Sequence, residues 1–245
     1  MRERFGANDE KAQMIRFHTQ TGGVTLAAQQ PENNIVRVAL QGFAAVCGGT
    51  QSLHTNGFDE ALALPSERAA KIALRTQQIL AYESGATDTV DPFAGSYFVE
   101  ALTDEIEARA SELIAKVDEL GGSVNAIEFI TGEIDESAWG YQERYRLGQD
   151  VVVGVNRYVE ESEVEVPDLL RVDPESEREQ VGRLKAFKAD RDQQLVDRRL
   201  EELRDVARGT GNLLPAIRDA LRDRCSLGEV CGAMQDVFGA YRPTF

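Results

Sequence analysis

The sequence predicts an α/β fold with a parallel sheet, on the strength of three observations. Two units of strand, loop and helix follow each other within residues 1–100, as in proteins whose parallel strands are joined by helices. The apolar run VVVGV at residues 151–155 is typical of a strand buried on both faces. Residues 103–120 repeat apolar side chains with the 3.6-residue period of a helix.

The first unit begins with a predicted strand at Met14–Thr19, followed by a loop rich in Thr, Gly and Gln. Asn33 or Asn34 is expected to cap the next helix, because a side-chain oxygen at this position accepts a bond from a free backbone N–H group. The pair Gly48-Gly49 is expected to end that helix. The apolar residues of this first helix, IVRVALQGFAAV, are expected to cover a sheet.

The second unit begins with a predicted strand at residues 51–56 (QSLHTN). Ser66 is expected to cap the helix that follows. Its buried stripe is predicted to consist of Ala69, Ile72, Ala73, Thr76, Ile79 and Leu80.

The segment 103–120 has the most regular helical pattern of the chain. Thr103 is its predicted cap, and Gly121-Gly122 is expected to end it. The predicted buried stripe consists of Ile106, Ala110, Leu113, Ile114, Val117 and Leu120.

The character of the chain changes near residue 165, where an acidic segment with two prolines indicates a linker. We therefore predict a first domain over 1–165 and a helical region over 166–245. A long charged helix is expected over 177–208, with two shorter helices around 213–223 and 226–238.

The composition narrows the range of functions. The 245-residue chain has a formal net charge of −15 and a sequence pI of about 4.7, which disfavours nucleic-acid binding. No apolar run is long enough to predict a membrane span, and the charged N-terminus does not predict a signal peptide. The three cysteines form no CxxC pair, so a cytoplasmic location is expected. An acidic, lysine-poor chain suits either a salt-rich cytoplasm or a GC-rich genome, and both explanations remain open.

Polar side chains occupy one face of each of the two predicted strands. These faces consist of Arg16, His18 and Gln20 on the first strand, and of Ser52, His54 and Asn56 on the second. In parallel barrels the active site lies at the carboxyl ends of the strands, so the two faces predict a polar barrel mouth. The alternative is that these side chains are buried polar groups bonded to the backbone.

Other chemistries have little support in the sequence. The spacing of zinc ligands, the phosphate-binding loop, the dinucleotide fingerprint and the GxSxG elbow are all missing. Cys47 lies at an apolar helix end and is interpreted as a packed thiol. Glu60 follows the second strand and faces either the same mouth or solvent. The residues alone therefore indicate an α/β domain with a polar mouth but no particular reaction.

A specific resemblance appears in the motifs HTQTGG, AQQPENNIVR, GGTQSLHTN, FDEALALP and RTQQ. It continues in DPFAGSYFVE at 91–100, in VVVGVNRY at 151–158 and in the tail SLGEVCGAMQDVFGAYRP. In these motifs the chain resembles the large, catalytic subunit of the methylmalonyl-CoA mutase family. The resemblance implies the C-terminal part of a TIM-type (β/α)8 barrel, followed by a helical linker region.

The resemblance also implies a reaction and a cofactor. Members of this family rearrange the carbon skeleton of an acyl-CoA by radical chemistry with adenosylcobalamin, so an isomerase acting on methylmalonyl-CoA to give succinyl-CoA is expected. Gln20 resembles a catalytic glutamine between thioester and cofactor, and His18 is a second catalytic candidate. The residues expected to bind the cofactor are Gln20, Gly23 at the corrin, Glu60 at the adenosyl ribose, and Ala63. His54 and Asn56 are expected to line the substrate channel.

The chain departs from the family pattern at Val24-Thr25, where methylmalonyl enzymes often have Trp-Ser, and in DPFAGS, which replaces DPWGGS. Isobutyryl-CoA and 2-hydroxyisobutyryl-CoA are therefore alternative substrates. Neither His18 nor His54 lies in the DxHxxG motif of the cobalt ligand, so no metal ligand is expected in this chain. The expected partners are a chain that completes the N-terminal half of the barrel and a cobalamin-binding domain or subunit. A non-catalytic assembly subunit or a truncated gene product is the alternative.

Overall fold

The computed structural model describes residues 1–160 and 169–240. The chain is mostly helical with one small parallel sheet, and it divides into two compact units, Met1–Arg171 and Val172–Phe245. The predicted domain boundary at 165–166 lies outside the described residues, so it stays a prediction.

The first unit contains two strands and six α-helices among its described residues. They are α1 (Arg2–Phe5), α2 (Glu10–Gln13), β1 (His18–Gln20), α3 (Asn33–Cys47), β2 (Ser52–His54), α4 (Glu67–Tyr82), α5 (Tyr97–Glu119) and α6 (Ile127–Arg146). A short 3-10 turn, Gly23–Thr25, follows β1.

The two strands pair in parallel, with His18 opposite Ser52 and Gln20 opposite His54. Helix α3 connects them, as the predicted unit of strand, helix and strand requires. Both strands are shorter than predicted, although the ladder continues into the loops through a bond of 3.0 Å from the Thr21 N–H group to the His54 carbonyl oxygen. The described sheet has two strands, so the barrel itself remains a prediction.

Helices α3 and α4 pack together beside the sheet. On α4, Ala69, Ala73 and Leu80 are buried, as the apolar period predicts, although Ile79 is 51% exposed. The Ser66 side chain caps α4 by accepting a bond from the Ala69 N–H group, which confirms the predicted cap.

The predicted start of α3 was wrong, whereas its end was confirmed. Glu32 occupies the cap position, and no side chain caps the helix there. Asn34 lies inside the helix, where its amide bonds two loops and is no longer available for capping. Gly48 follows the last helical residue, and Gly49 adopts a positive φ of 77° that favours glycine.

Helix α5 begins at Tyr97, six residues before the predicted cap. The Thr103 hydroxyl donates to the Val99 carbonyl oxygen at 2.8 Å within the helix, so the cap prediction was wrong. The predicted apolar stripe is largely exposed, with Ile106 at 59% and Ile114 at 53%. The helical period is present, but the prediction that this face is buried was wrong for the unit described.

The run 151–155 forms a turn instead of a buried strand, so this prediction was wrong. Val153 makes one isolated bridge with Arg157, and Gly154 has a positive φ of 81°. The Asn156 side chain accepts a bond from the Val152 N–H group and donates to the Asp150 carbonyl oxygen, both at 2.8 Å. These local bonds satisfy the backbone without a neighbouring strand.

The second unit consists of four helices in its described part: α7 (Pro174–Ala189), α8 (Gln193–Arg208), α9 (Leu213–Arg222) and α10 (Leu227–Phe238). The two shorter helices agree with the prediction. The single long helix predicted over 177–208 was wrong, because the Asp192 side chain caps a new helix by accepting from the Leu195 N–H group at 3.1 Å. The buried core contains Val196, Leu200, Leu203, Ala220, Cys225, Val230 and Ala233.

An ion pair joins α10 to the segment between α7 and α8. Both terminal nitrogens of Arg191 bond to the carboxylate of Glu229 at 2.7 Å, and the Arg191 side chain is only 3% exposed. Ser226 and Glu229 also bond each other in a reciprocal cap at the start of α10. Within the described ranges, no helix is long and apolar enough to cross a membrane.

Candidate functional site

The carboxyl ends of β1 and β2 bring four of the residues predicted for the site into one cluster: Gln20, Gly23, Asn56 and Glu60. The amide nitrogen of Gln20 donates to Oδ1 of Asn56 at 3.1 Å. Gly23 lies against both Asn56 and Glu60. The cluster forms because the two loops leave neighbouring parallel strands at the same edge of the sheet.

Asn56 orients the amide of Gln20. Its Nδ2 group donates to the carbonyl oxygen of Thr21 at 3.1 Å, and this oxygen can only accept. Oδ1 of Asn56 therefore faces Gln20 and accepts from its nitrogen. With its nitrogen engaged by Asn56, the exposed Gln20 has its amide oxygen left as an acceptor. Asn56 itself is buried, with only 2% of its surface exposed, so its contact with Gln20 lies on the inner side of the cluster. Its expected place in the substrate channel stays a prediction.

Because Gly23 has no side chain, the Glu60 carboxylate can lie directly against its backbone. A β-carbon at residue 23 would lie 2.5 Å from Oε1 of Glu60 and 3.0 Å from Nδ2 of Asn56, which is too close for a real contact with the carboxylate. The glycine thus allows the first loop to approach the second.

Glu60 and Ala63 belong to the loop of residues 57–66 between β2 and α4. Glu60 is exposed, whereas Ala63 is half-buried with its N–H group bonded to the Asp59 carbonyl oxygen at 3.1 Å. Asp59 is buried, and its Oδ2 atom accepts from the Ser66 N–H group at 2.9 Å. The loop therefore has a defined shape that presents the Glu60 side chain at the surface.

The two histidines are exposed on the strands themselves. Nδ1 of His18 lies 2.7 Å from the hydroxyl oxygen of Ser52, the residue opposite it in the sheet. His54 lies opposite Gln20 in the strand register. Nucleophilic catalysis by Ser52 and His18 would require a third group that orients the His18 ring. Among the described residues no carboxylate does so, and the Ser52–His18 pair therefore does not indicate a hydrolase.

Asn34 is important to the site and was assigned only a capping role from the sequence. It is fully buried and holds the two loops together. Its amide nitrogen donates to the carbonyl oxygens of Ala27 and Phe58, both at 2.8 Å, and its oxygen accepts from the Ala27 N–H group at 3.1 Å. The sequence signal for this role was a polar side chain at the start of the apolar stretch of α3.

An apolar cavity of about 940 Å³ lies next to the cluster. Its walls include Val24, Leu40, Ala61, Tyr141, Val151 and Val155. Arg37 ties the 151–158 turn to α3, since its guanidinium donates to the Val153 carbonyl oxygen and to Oδ1 of Asn34, both at 2.7 Å. The site therefore combines a polar cluster with an apolar wall.

The interpretation of Cys47 as a packed thiol agrees with its surroundings. Cys47 is 6% exposed, and burial together with the charge of Asp91 raises the pKa of its thiol above the ordinary value. A raised pKa reduces the thiolate fraction and hence the reactivity. In the ranges that the structure describes, no group of three or more His, Cys, Asp or Glu side chains could hold a metal ion.

The cluster is suited to binding and orientation. Gln20 offers an amide and Glu60 an exposed carboxylate, and the glycine at residue 23 lets the two loops approach, so the surface can bond hydroxyl groups. Reactivity would have to come from a bound group.

Comparisons with known proteins identify the family of this chain. The family model described as methylmalonyl-CoA mutase matches residues 1–240. A probable mitochondrial methylmalonyl-CoA mutase of Caenorhabditis elegans is 43% identical over 98% of this chain and 33% of its own length. A methylmalonyl-CoA mutase of Rhizobium meliloti is 47% identical over 93% of the chain and 32% of its own length.

A further relative is the 2-hydroxyisobutanoyl-CoA mutase large subunit of Aquincola tertiaricarbonis. It is 40% identical over 100% of the chain and 44% of its own length. The chain thus spans 32% to 44% of the length of these relatives, and the similarity covers both of its units. From the matched family model and these identities, the chain belongs to the methylmalonyl-CoA mutase family.

Proposed function

We propose that the protein carrying this chain is an acyl-CoA mutase that converts methylmalonyl-CoA to succinyl-CoA with adenosylcobalamin. The chain would supply one wall of the active site. The cluster of Gln20, Gly23 and Glu60 supports this proposal most strongly. The family resemblance implies that all three residues bind the cofactor, and they meet at the ends of two paired strands.

The residues present fit adenosylcobalamin. Gly23 carries no side chain of its own and lies directly beside the Glu60 carboxylate, and the apolar cavity begins at its neighbour Val24. Glu60 presents an exposed carboxylate that can accept bonds from ribose hydroxyls. Ala63 follows in the same loop. When bound, adenosylcobalamin would supply the radical chemistry that these side chains lack.

The chain's own residues would bind and orient. Gln20, held by Asn56, would present its amide oxygen towards the acyl group, because its nitrogen is already engaged. Glu60 would hold the adenosyl ribose by accepting hydrogen bonds from its hydroxyl groups. His18 and His54, exposed on the same two strands, would line the route of the CoA thioester. The polar wall would thereby exclude water and restrict the motion of reactive species.

We further propose that the strands belong to a TIM-type barrel completed by another segment or chain, with a cobalamin-binding domain or subunit supplying the cobalt ligand. The exposed apolar stripe of α5 and the unpaired edges of β1 and β2 support this, since both need cover. The words "large subunit" in the name of the Aquincola relative also support a partner. A cytoplasmic location remains part of the proposal.

A second candidate substrate is 2-hydroxyisobutyryl-CoA. Val24 is 96% exposed beside Gly23 and lines the apolar cavity, at a position where methylmalonyl enzymes often have tryptophan. A smaller side chain there leaves more room for a branched acyl group. The similarity to 2-hydroxyisobutanoyl-CoA mutase along the whole chain also favours this candidate.

The test is turnover by the assembled protein, prepared with the remaining mutase segments and adenosylcobalamin. Methylmalonyl-CoA, isobutyryl-CoA and 2-hydroxyisobutyryl-CoA are offered separately, and the products are identified by mass spectrometry. We expect succinyl-CoA from the first, and a lower kcat by about tenfold or more in Gln20→Ala and Glu60→Gln.

Glu67→Gln is the matched control, because Glu67 is an exposed carboxylate on the nearby start of α4. It should leave turnover unchanged. If the protein turned over only one of the other acyl-CoA thioesters, the proposed substrate would be wrong, but the proposed class of reaction would stand. A site variant as active as the parent protein would instead support a non-catalytic assembly role.

A further inference from the structure

Asp59 is the buried carboxylate that precedes Glu60, and its hydrogen bonding is incomplete. The residue is 2% exposed. Its Oδ2 atom accepts from the Ser66 N–H group at 2.9 Å. Its Oδ1 atom lies against Gly57 and, among the residues that the structure describes, has no hydrogen-bond partner. Such a burial is unfavourable, so it calls for an explanation in the function of the loop.

The backbone of Asp59 also organises the loop that carries Glu60. Its carbonyl oxygen accepts from the N–H groups of Leu62 at 2.8 Å and Ala63 at 3.1 Å. The side chain, through Ser66, ties the same residue to the first turn of α4. Asp59 therefore connects the turn that contains Glu60 and Ala63 to a packed helix.

The inward direction of Asp59 determines where Glu60 emerges. With the Asp59 side chain buried against Gly57 and Ser66, the next side chain leaves the loop on the exposed side. There Oε1 of Glu60 takes up the space that a β-carbon on Gly23 would need. A loop released from Ser66 could rotate, and Glu60 would then lose its place beside Gly23.

We propose that Asp59 is a positioning residue that acts through Glu60, an inference that rests on the proposed role of Glu60 in the mutase site. Within residues 1–160 and 169–240, only one oxygen of this carboxylate accepts a bond, so the proposal requires the bond to Ser66 and not the charge. Asp59→Asn keeps an acceptor for the Ser66 N–H group. Asp59→Ala removes it.

The first readout is amide hydrogen exchange across residues 57–66 of the assembled protein, which does not depend on turnover. We expect Asp59→Ala to raise exchange in this loop by about tenfold and Asp59→Asn to leave it nearly unchanged. Ser66→Ala is the matched control, because it removes the side-chain cap of α4 while keeping the N–H donor to Asp59. It should loosen the first turn of α4 without releasing residues 60–63.

The second readout is a double-mutant cycle on kcat. Asp59→Ala alone should lower kcat by about tenfold, yet on a Glu60→Gln background it should lower kcat by less than about threefold, since the positioned group is already absent. Asp59→Asn should rescue most of the loss. Should Asp59→Ala fail to fold, Asp59→Ser, whose side chain is one bond shorter than the carboxylate, replaces it in both readouts.

An equal loss of kcat on both backgrounds would overturn the proposal, and so would unchanged exchange in the loop of the Asp59→Ala protein. A damaging Asp59→Asn change would also overturn it, because asparagine keeps the acceptor for the Ser66 N–H group. If the parent protein turns over no acyl-CoA, the proposed function fails, while the exchange measurements still decide whether Asp59 fixes the loop.

Discussion

A β-carbon on Gly23 would lie 2.5 Å from Oε1 of Glu60, so the backbone of one loop and the carboxylate of the other share the same small space. Gly23→Ala should push the exposed Glu60 side chain into solvent. We expect little change in the free energy of unfolding but a loss of adenosylcobalamin affinity of about tenfold, measured by titration of the assembled apoprotein. Gly22→Ala is the control, because its β-carbon would lie 3.5 Å from the nearest atom, an ordinary contact. Equal affinities for all three proteins would contradict the close approach.

Gly42 determines how closely α3 packs on α4. A β-carbon there would lie 2.9 Å from Cδ1 of Leu80, which is buried and has little freedom to move. Gly42→Ala should therefore lower the free energy of unfolding by about 1–3 kcal/mol, measured by urea denaturation.

The matched substitution is Gly132→Ala in α6, where nothing lies within 4 Å of the added carbon. Since alanine favours the helix more than glycine does, Gly132→Ala should raise the free energy of unfolding by about 0.5–1 kcal/mol. If both substitutions raised the free energy of unfolding, the packing between Gly42 and Leu80 would be looser than the 2.9 Å distance indicates.

Asn34 connects the loops after β1 and β2 through its buried amide. Replacement by alanine leaves the backbone groups of Ala27 and Phe58 without partners, so Asn34→Ala should cost about 2–4 kcal/mol of unfolding free energy. Thermal unfolding followed by circular dichroism would measure the loss. Asn33→Ala, one residue earlier and half-buried, should cost less than about 1 kcal/mol. Equal costs would argue that Asn34 does not hold the loops.

The Arg191–Glu229 pair predicts a pH-dependent stability. Bonds from Arg191 and Ser226 hold the pKa of Glu229 well below its ordinary value of 4.5. Because the pKa in the folded chain is lower than in the unfolded chain, the stabilisation is complete above the ordinary value and declines as the pH falls below it. Glu229→Gln leaves the buried Arg191 without its anion and should cost about 2–4 kcal/mol at pH 7.

Urea unfolding of the full chain at several pH values would measure this effect. The difference between parent and Glu229→Gln should be constant at neutral pH and shrink in acid. Glu202→Gln is the control, since Glu202 pairs with Arg199 at a partly exposed position and should cost less than about 1 kcal/mol. A difference that does not change with pH would contradict the role of the charge.

Local signals in the sequence predicted much of this fold. Ser66 was identified as a cap because its hydroxyl and the helix it precedes are neighbours in the chain. The parallel pairing of β1 and β2 followed from one unit of strand, helix and strand. The gathering of Gln20, Gly23 and Glu60 followed from the family motifs, because these residues lie on separate loops.

The incorrect predictions have two physical causes: burial depends on distant parts of the chain, and polar side chains compete locally for backbone groups. The period of α5 identified a helix, but periodicity does not say whether Ile106 or Ile114 is covered. The apolar run at 151–155 resembled a strand, yet Asn156 satisfied its backbone locally. Asp192 was available as a cap within a pattern that otherwise suited one continuous helix.

The exposed stripe of α5 also affects how the chain behaves in solution. Chains with a net charge of −15 repel one another at low ionic strength, whereas the apolar side chains of the stripe attract. Added salt shortens the Debye length to about 3 Å at 1 M and so removes the repulsion while the attraction remains. Colloidal stability of the isolated chain should therefore fall as salt is added. For every chain that is not yet assembled, self-association through the stripe competes with assembly.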